Sequence, residues 1–490
     1  MGTVGSHAAS GAFWTVLFST LSKCLAMGSQ IILARLLLPS DFGLVAMTLS
    51  ITSLVAIMCG PTLRSVLTQR MDRFEQYAPH AFWLALALNL GGALLLAVIA
   101  PVAAMVFHES KVTPLVLIFA LAVPFQALPT VYAAALARQF RFRDIALINL
   151  GAGIIQNISS LILAWFGFGA YSLVIPLVAM AIYMAVAYRL MAGRIPVGRP
   201  EVRQWGELRR SVSWLMAVTG LAALQTSGAS LVISLMHDSV TTGYFYWGFM
   251  VSNQIVFLLA TNLQQVMLAV LSKLNSEIDR QSAAATKAIQ TLTLIIMPVC
   301  LLQVLLAEPI IAFVFNDRWL PSVPVVQFIS IALMTQPLNL LAAALLTARG
   351  KFRRLAGATA VMAALLLGSA ALGSVLGQQR EIALCVMIGM AIGNLFAGWL
   401  VFREYERGWA ELFAALLPAL FLAVPLTVVT WSACQIAYSL GTPLRTAVTV
   451  VICAATYYLL LKNFYPKLFA EIVVRFRRKS ANTNPSSLQP

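Results

Sequence analysis

Fourteen apolar runs, each long enough to cross a bilayer, limit this chain more than any other feature. A hydrocarbon core about 30 Å thick takes about 20 helical residues. The runs are approximately 12–34, 42–67, 79–106, 113–136, 144–166, 170–190, 212–236, 241–272, 286–315, 322–348, 354–376, 382–402, 410–434 and 443–463. Runs of this length therefore predict an all-α polytopic membrane protein. Composition agrees: 10% of residues are charged, against roughly 25% in soluble domains. MGTVGSHAAS lacks a basic n-region, the first run carries Lys23, and no small-residue cleavage motif follows. The first run is expected to be a retained helix and not a signal peptide.

The longest polar interval, Arg189 to Arg210 (RLMAGRIPVGRPEVRQWGELRR, six Arg), separates two halves that resemble each other. Trp14 and Gly43, in SGAFW and SDFGLVAM, match Trp214 and Gly243, in SVSWL and TTGYFYW, at an offset of 200. YAAALARQFRFRDIA (132–146) matches LAAALLTARGKFRRLA (341–356), with Phe142 and Arg143 on Phe352 and Arg353 at an offset of 210. Ordered matches with slowly drifting offset are what duplicated halves with small loop insertions give. Six helices per copy is an even number, so both copies enter the membrane in one direction and relate by a pseudo-two-fold along its normal. The expected organisation is a six-helix bundle over 1–190, a basic cytoplasmic linker over 191–211 and a second bundle over 212–403. Two extra helices follow over 404–463, then a tail over 464–490. In the tail, PKLFAEIVVRFRRK suits the membrane interface, and SANTNPSSLQP has the composition of a disordered terminus.

The net charge of +16 does not point to nucleic acid, because its placement follows topology. With the N-terminus inside, 27 of the 33 Lys and Arg fall in inner loops, five (Arg35, Lys111, Arg318, Arg380, Arg445) in outer loops, and Lys23 inside a run. Such a bias predicts cytoplasmic termini. The six cysteines all lie in apolar runs, with no CxxC and no His nearby, so neither disulfide nor metal is expected. Every one of the 17 carboxylates lies in or beside a loop, Glu308 coming closest to being embedded. Ion-coupled pumps commonly need a deep carboxylate, and transferases need an acid/base pair or a metal cluster. No nucleotide-binding loop is present either. No enzymatic activity, cofactor or metal is expected.

Lys23 lies eleven residues past Ala12, about 16 Å into a helix rising about 1.5 Å per residue. Lys23, Ala26 and Gln30 lie within about 40° of Ser19 at 100° per residue. An embedded cation usually faces a water-filled cavity, where it would meet a phosphate or anionic sugar; pairing to a carbonyl or snorkelling would also hold it. Arg64, in the last turn of the second run, suits either snorkelling or a place at a cavity mouth. Tyr246, Asn253 and Gln264 share one stripe of run eight; Asn149, Gln156 and Ser160 share one face of run five. Aromatic rings and amides suit sugars, and embedded amides equally suit hydrogen bonds between helices. Prolines 124, 129, 176, 298 and 337 would bend their helices, and bends in runs four and ten are consistent with bundles that rock.

ILARLLLPSDFGLVAM (32–47) resembles the polysaccharide and O-antigen flippases, of the superfamily that also holds multidrug antiporters and peptidoglycan-precursor flippases. FGFGAYSLV (166–174), TGYFYWGFMVSNQ (242–254) and FNDRWLPSVPVVQFISIA (315–332) resemble them too. VMLAVLSKL (266–274) departs, lacking a proline that relatives often place before the serine. The resemblance implies an alternating-access flippase for undecaprenyl-diphosphate-linked oligosaccharide repeat units in the bacterial inner membrane. Lys23 would meet the diphosphate or an acidic sugar, and the stripes on runs five and eight the sugars. The partners implied are that lipid-linked oligosaccharide, membrane lipid, and a polysaccharide polymerase and chain-length regulator, with no nucleic acid and a monomeric chain. A multidrug antiporter is the rival within transport; a membrane polymerase or ligase, normally carrying a large outer catalytic loop, is the rival outside it.

Overall fold

A computed structural model describes residues 2–56, 74–139, 141–193, 205–405, 408–436 and 442–466. Arg64, the centre of the basic linker and the tail beyond 466 lie outside the described residues. Among the described residues there are sixteen α-helices, in order α1 Gly2–Leu36, α2 Pro39–Ala56, α3 Phe74–Phe107, α4 Val112–Ala122, α5 Ala127–Arg138, α6 Phe142–Trp165, α7 Tyr171–Ala192 and α8 Trp205–Met236. Then come α9 Ser239–Lys273, α10 Ile278–Ile310, α11 Val323–Leu333, α12 Gln336–Ala348, α13 Phe352–Leu376, α14 Gln379–Arg403, α15 Trp409–Ile436 and α16 Thr442–Phe464. Eleven of the described helices are long and apolar enough to span a membrane, or twelve with the bent pair Asp317–Leu333 and Gln336–Ala348. Leu94, Val98 and Met105 of α3 are 68%, 69% and 74% exposed. A helix showing such a face needs lipid around it. The chain is a multi-pass membrane protein, and fewer of its described helices span by length and apolarity than the fourteen runs expected.

Run four holds as one candidate span, Val112–Arg138, in which the 3-10 turn Pro124–Gln126 separates α4 from α5. Run ten gives α11 and α12, bent by 46°, with Pro337 in the first turn of α12. Proline lacks an N–H and its ring clashes with the preceding turn, so the helix stops and restarts there. The two breaks lie about 210 residues apart, the offset that relates the later parts of the two sequence halves. α8 also starts earlier than expected, at Trp205 inside the linker interval.

The chain forms two compact units. The first is Met1–Met250, Val314–Val325 and Ala356–Met390; the second is Val251–Phe313, Val326–Leu355 and Ala391–Pro490. In the first, α2, α3, α4 and α7 enclose Leu44, Met47, Leu96, Ala100, Leu115, Val116 and Val174. Small residues let other helices close up, as association in lipid favours. A Cβ on Gly153 of α6 would lie 2.7 Å from Ser22 Oγ of α1, and one on Gly151 2.2 Å from the Tyr183 hydroxyl of α7. In the second unit, α10 packs on α15 and α16 through Leu294, Met297, Leu301, Leu422, Leu426 and Cys453. The five described cysteines are free thiols.

The α12–α13 turn of the second unit is tied down around Glu404, whose side chain is 4% exposed. Arg349 donates to the Glu404 carboxylate at 3.1 Å and to its carbonyl at 3.0 Å. Lys351 and Arg354 bind the same carboxylate. Arg349 also donates to Gln281 Oε1 at 2.8 and 3.1 Å, and Gln281 donates to Leu271 O at 2.7 Å. The ends of α9, α10, α12, α13 and α14 are thereby joined. The first unit has a smaller counterpart in which Arg141, 210 residues before Lys351, donates to Met191 O at the end of α7 at 2.9 Å.

Candidate functional site

α1 carries Lys23 and Gln30, and it is seated along α6. Arg143 of α6 stands over the Trp14 ring at 5.1 Å, and Ser22 faces Gly153. Lys23 is half-buried, one position round the helix from Ser22. Gln30, also half-buried, donates to Met250 Sδ of α9 at 3.3 Å. Met250 is four residues beyond Tyr246, about one turn. α1 and α9 therefore meet at Gln30 and Met250, within the first unit. Lys23 and Gln30 are seven residues apart, about 10 Å along the axis. Asn253 and Gln264 follow on α9, in the second unit, and are half-buried as Tyr246 is.

The α6 face divides three ways. Asn149 accepts from the Tyr188 hydroxyl at 3.4 Å, and Tyr188 on α7 is fully buried. This is a contact between helices, one of the two uses that the sequence leaves open to an embedded amide. Gln156 is half-buried. Ser160 is buried, 4% exposed. Tyr188 and the Ser22–Gly153 contact carried no signal in the sequence, because neither residue is unusual in an apolar run.

At the helix ends of the second unit one carboxylate, Glu404, gathers three cations, Arg349, Lys351 and Arg354. Burial alone would raise the Glu404 carboxyl, but hydrogen bonds from Lys351 and Arg354, with their charges, outweigh it and hold the pKa below the ordinary value. Beside it, burial pushes the Tyr405 hydroxyl up to about 12, with Arg349 opposing and Glu404 adding to the rise. Tyr405 stays a neutral donor to Gln281 Oε1, at 3.3 Å, under the Arg349 guanidinium 4.6 Å from its ring.

Long apolar helices with exposed apolar faces define a polytopic membrane protein, in which a half-buried lysine lies on the first helix and an amide joins that helix to α9. The chain belongs to the polysaccharide biosynthesis protein family, whose sequence profile matches residues 32–324. It is 24% identical over 401 residues to the succinoglycan biosynthesis transport protein ExoT of Rhizobium meliloti (strain 1021), covering 80% of this chain and 79% of that one. Its fold is similar to the lipid II flippase MurJ in an inward closed conformation, with TM-score 0.77 and 13% identity, over 93% of this chain and 99% of that one. An inward-facing multidrug resistance MATE family transporter of the MOP superfamily has TM-score 0.62 and 13% identity, over 79% of this chain and 94% of that one.

Proposed function

We propose that this protein turns undecaprenyl-diphosphate-linked oligosaccharide repeat units from the inner to the outer leaflet of a bacterial inner membrane by alternating access. One observation carries the reading: a member of the polysaccharide biosynthesis family folds like a lipid II flippase over 93% of its length. The physical requirement is a polar path. A carbohydrate head loses many hydrogen bonds to water on entering hydrocarbon, at several kcal/mol each on the order-of-magnitude scale. In this reading Lys23 meets the diphosphate or an acidic sugar. Gln30, Gln156, Asn253 and Gln264 meet hydroxyls, and Tyr246 lies against a sugar face. Asn149, held by Tyr188, borders this lining, and the prenyl tail stays in lipid. The bundles at 1–190 and 212–403 rock about a central cleft, the termini and the 191–211 linker are cytoplasmic, and the chain acts as a monomer without a cofactor.

The test is the leaflet in which lipid-linked sugar accumulates when the protein is lost, read by an impermeant enzyme acting on intact spheroplasts. Complete units stranded on the cytoplasmic side, with surface polymer missing, are expected. Units exposed outside would instead mark a polymerase. Unchanged polymer with sensitivity to cationic compounds would mark the antiporter that the MATE-like fold allows.

A further inference from the structure

The end of the first unit where α1, α2 and α9 meet is closed by a loop that the proposed lining does not use. The 3-10 turn Asp317–Ser322 carries Trp319, which is fully buried. Its indole N–H donates to Ala34 O of α1 at 2.8 Å. The ring stacks on Trp247 of α9 at 4.4 Å and meets Phe42 of α2 edge-on at 5.2 Å. Arg318 donates to Leu37 O at 3.3 Å, and Arg35 donates back to Val314 O at 2.7 Å. The last carbonyls of a helix have no partner within it, and cationic side chains are favoured there. The loop thus supplies what the end of α1 lacks.

A second crossing runs the other way. Glu109, in the α3–α4 loop, accepts from Ser239 Oγ at the start of α9 at 2.6 Å. Positions 109 and 319 are 210 apart, so the corresponding loop of each sequence half reaches the first helix pair of the other. Between these crossings the backbones touch: a Cβ on Gly43 would lie 1.7 Å from Ser239 O.

We propose that the Asp317–Ser322 loop is the latch of a gate at this end, that Trp319 is the positioning residue holding it shut, and that the latch releases in each transport cycle. The proposal rests on the alternating-access reading above. Its bonds suit a reversible joint. They run from side chains to helix-end carbonyls, where water can replace the donor at small net cost, while the stacked rings define the closed arrangement. Two discrete packings of this kind are how small local changes become whole-domain movements.

Thr242, fully buried beside Gly243, reports the gate. In the full chain purified in detergent, with the native cysteines replaced, Thr242→Cys is expected to react slowly with a bulky maleimide. Trp319→Phe keeps a ring and loses the donor, and should speed labelling on the order of tenfold. Trp319→Ala also loses the stack, and should speed it about a hundredfold. Equal rates for the parent and Trp319→Phe overturn the latch, whether or not Trp319→Ala yields folded protein. In cells, Glu109→Cys with Ser239→Cys bridged by a short reducible crosslinker should stop delivery of lipid-linked sugar, and reduction should restore it. Delivery through the bridged protein overturns obligatory release. If the unbridged parent moves no lipid-linked sugar while Trp319→Phe still speeds labelling, the flippase reading falls and the latch stands.

Discussion

Gly43 and Gly243, two hundred residues apart, meet backbone to backbone and reciprocally. A Cβ on Gly43 would lie 1.7 Å from Ser239 O, and one on Gly243 1.8 Å from Pro39 O and 3.0 Å from Gly43 N. The offset that aligns the two sequence halves also relates the partners: 39 with 239, and 43 with 243. Each glycine sits in the opening turns of its helix, α2 or α9. It is there because no side chain fits, and not because the backbone needs a positive φ.

Gly43→Ala and Gly243→Ala should each lower the thermal midpoint of the purified protein. Alanine ordinarily favours a helix over glycine by about 1 kcal/mol, but here the obstructing atom is a carbonyl oxygen that moves only with its helix. Overpacking of that kind costs about 2 kcal/mol, so the sign reverses. Gly28→Ala is the control: nothing lies within 4 Å of its Cβ position, and its midpoint should hold or rise. Equal behaviour of the three variants would remove the packing explanation.

Glu404 should give the second unit a pH-dependent stability. Its carboxyl has a folded pKa below the ordinary 4.5, so the contribution is fully present above about that pH and is lost as pH falls through the lower folded value. Glu404→Gln removes the negative partner of Arg349, which is only 11% exposed. Breaking a buried pair from one side costs about 3 kcal/mol. The parent's midpoint should fall more steeply than the variant's between neutral and strongly acid pH. Parallel curves would show that Glu404 is not the titrating group.

The apolar runs were legible because lipid demands long uninterrupted helices. The joints were not. Pro124 and Pro337 were visible as bends, but a proline kinks one helix and ends another, and only packing decides which. Asn149 read equally as lining or as staple, since the sequence does not say that Tyr188 stands opposite. Glu404 read as one loop charge among many, because Arg349, Lys351 and Arg354 reach it only after two turns are folded against each other. Trp319 lies in a stretch, FNDRWLPSVPVV, that carries a family resemblance and no sign of its own role, because its partner Ala34 is 285 residues away and leaves no local trace.

Orientation rests on the placement of Lys and Arg, and it has a direct test. Reporters fused after Gly193 and at Pro490 should read as cytoplasmic, and one fused after Gln378, in the loop before α14, as periplasmic. The reason is the 27-to-5 division of loop cations, each of which resists translocation near a span. A periplasmic signal after Gly193 would reverse the orientation and undo the pairing of two six-helix copies.

Lys23 decides whether the α1 face is a lining or only a packing surface. Its ammonium belongs to a half-buried side chain on the same helical face as Gln30, whose amide reaches Met250 at 3.3 Å. A cation placed there without a functional need would be costly, about 2.5–3.5 kcal/mol at the centre of a membrane helix on insertion scales. Lys23→Ala should therefore insert and fold at least as well as the parent, yet lose delivery of lipid-linked sugar by tenfold or more, on the order of one charge-assisted contact or more. Lys23→Arg keeps the charge on a larger, planar head and should retain part of the activity. Protein level and sugar delivery, measured in the same cells, separate the two roles. Normal delivery by the alanine variant would leave Lys23 as a topological or structural residue and move the anion contact elsewhere.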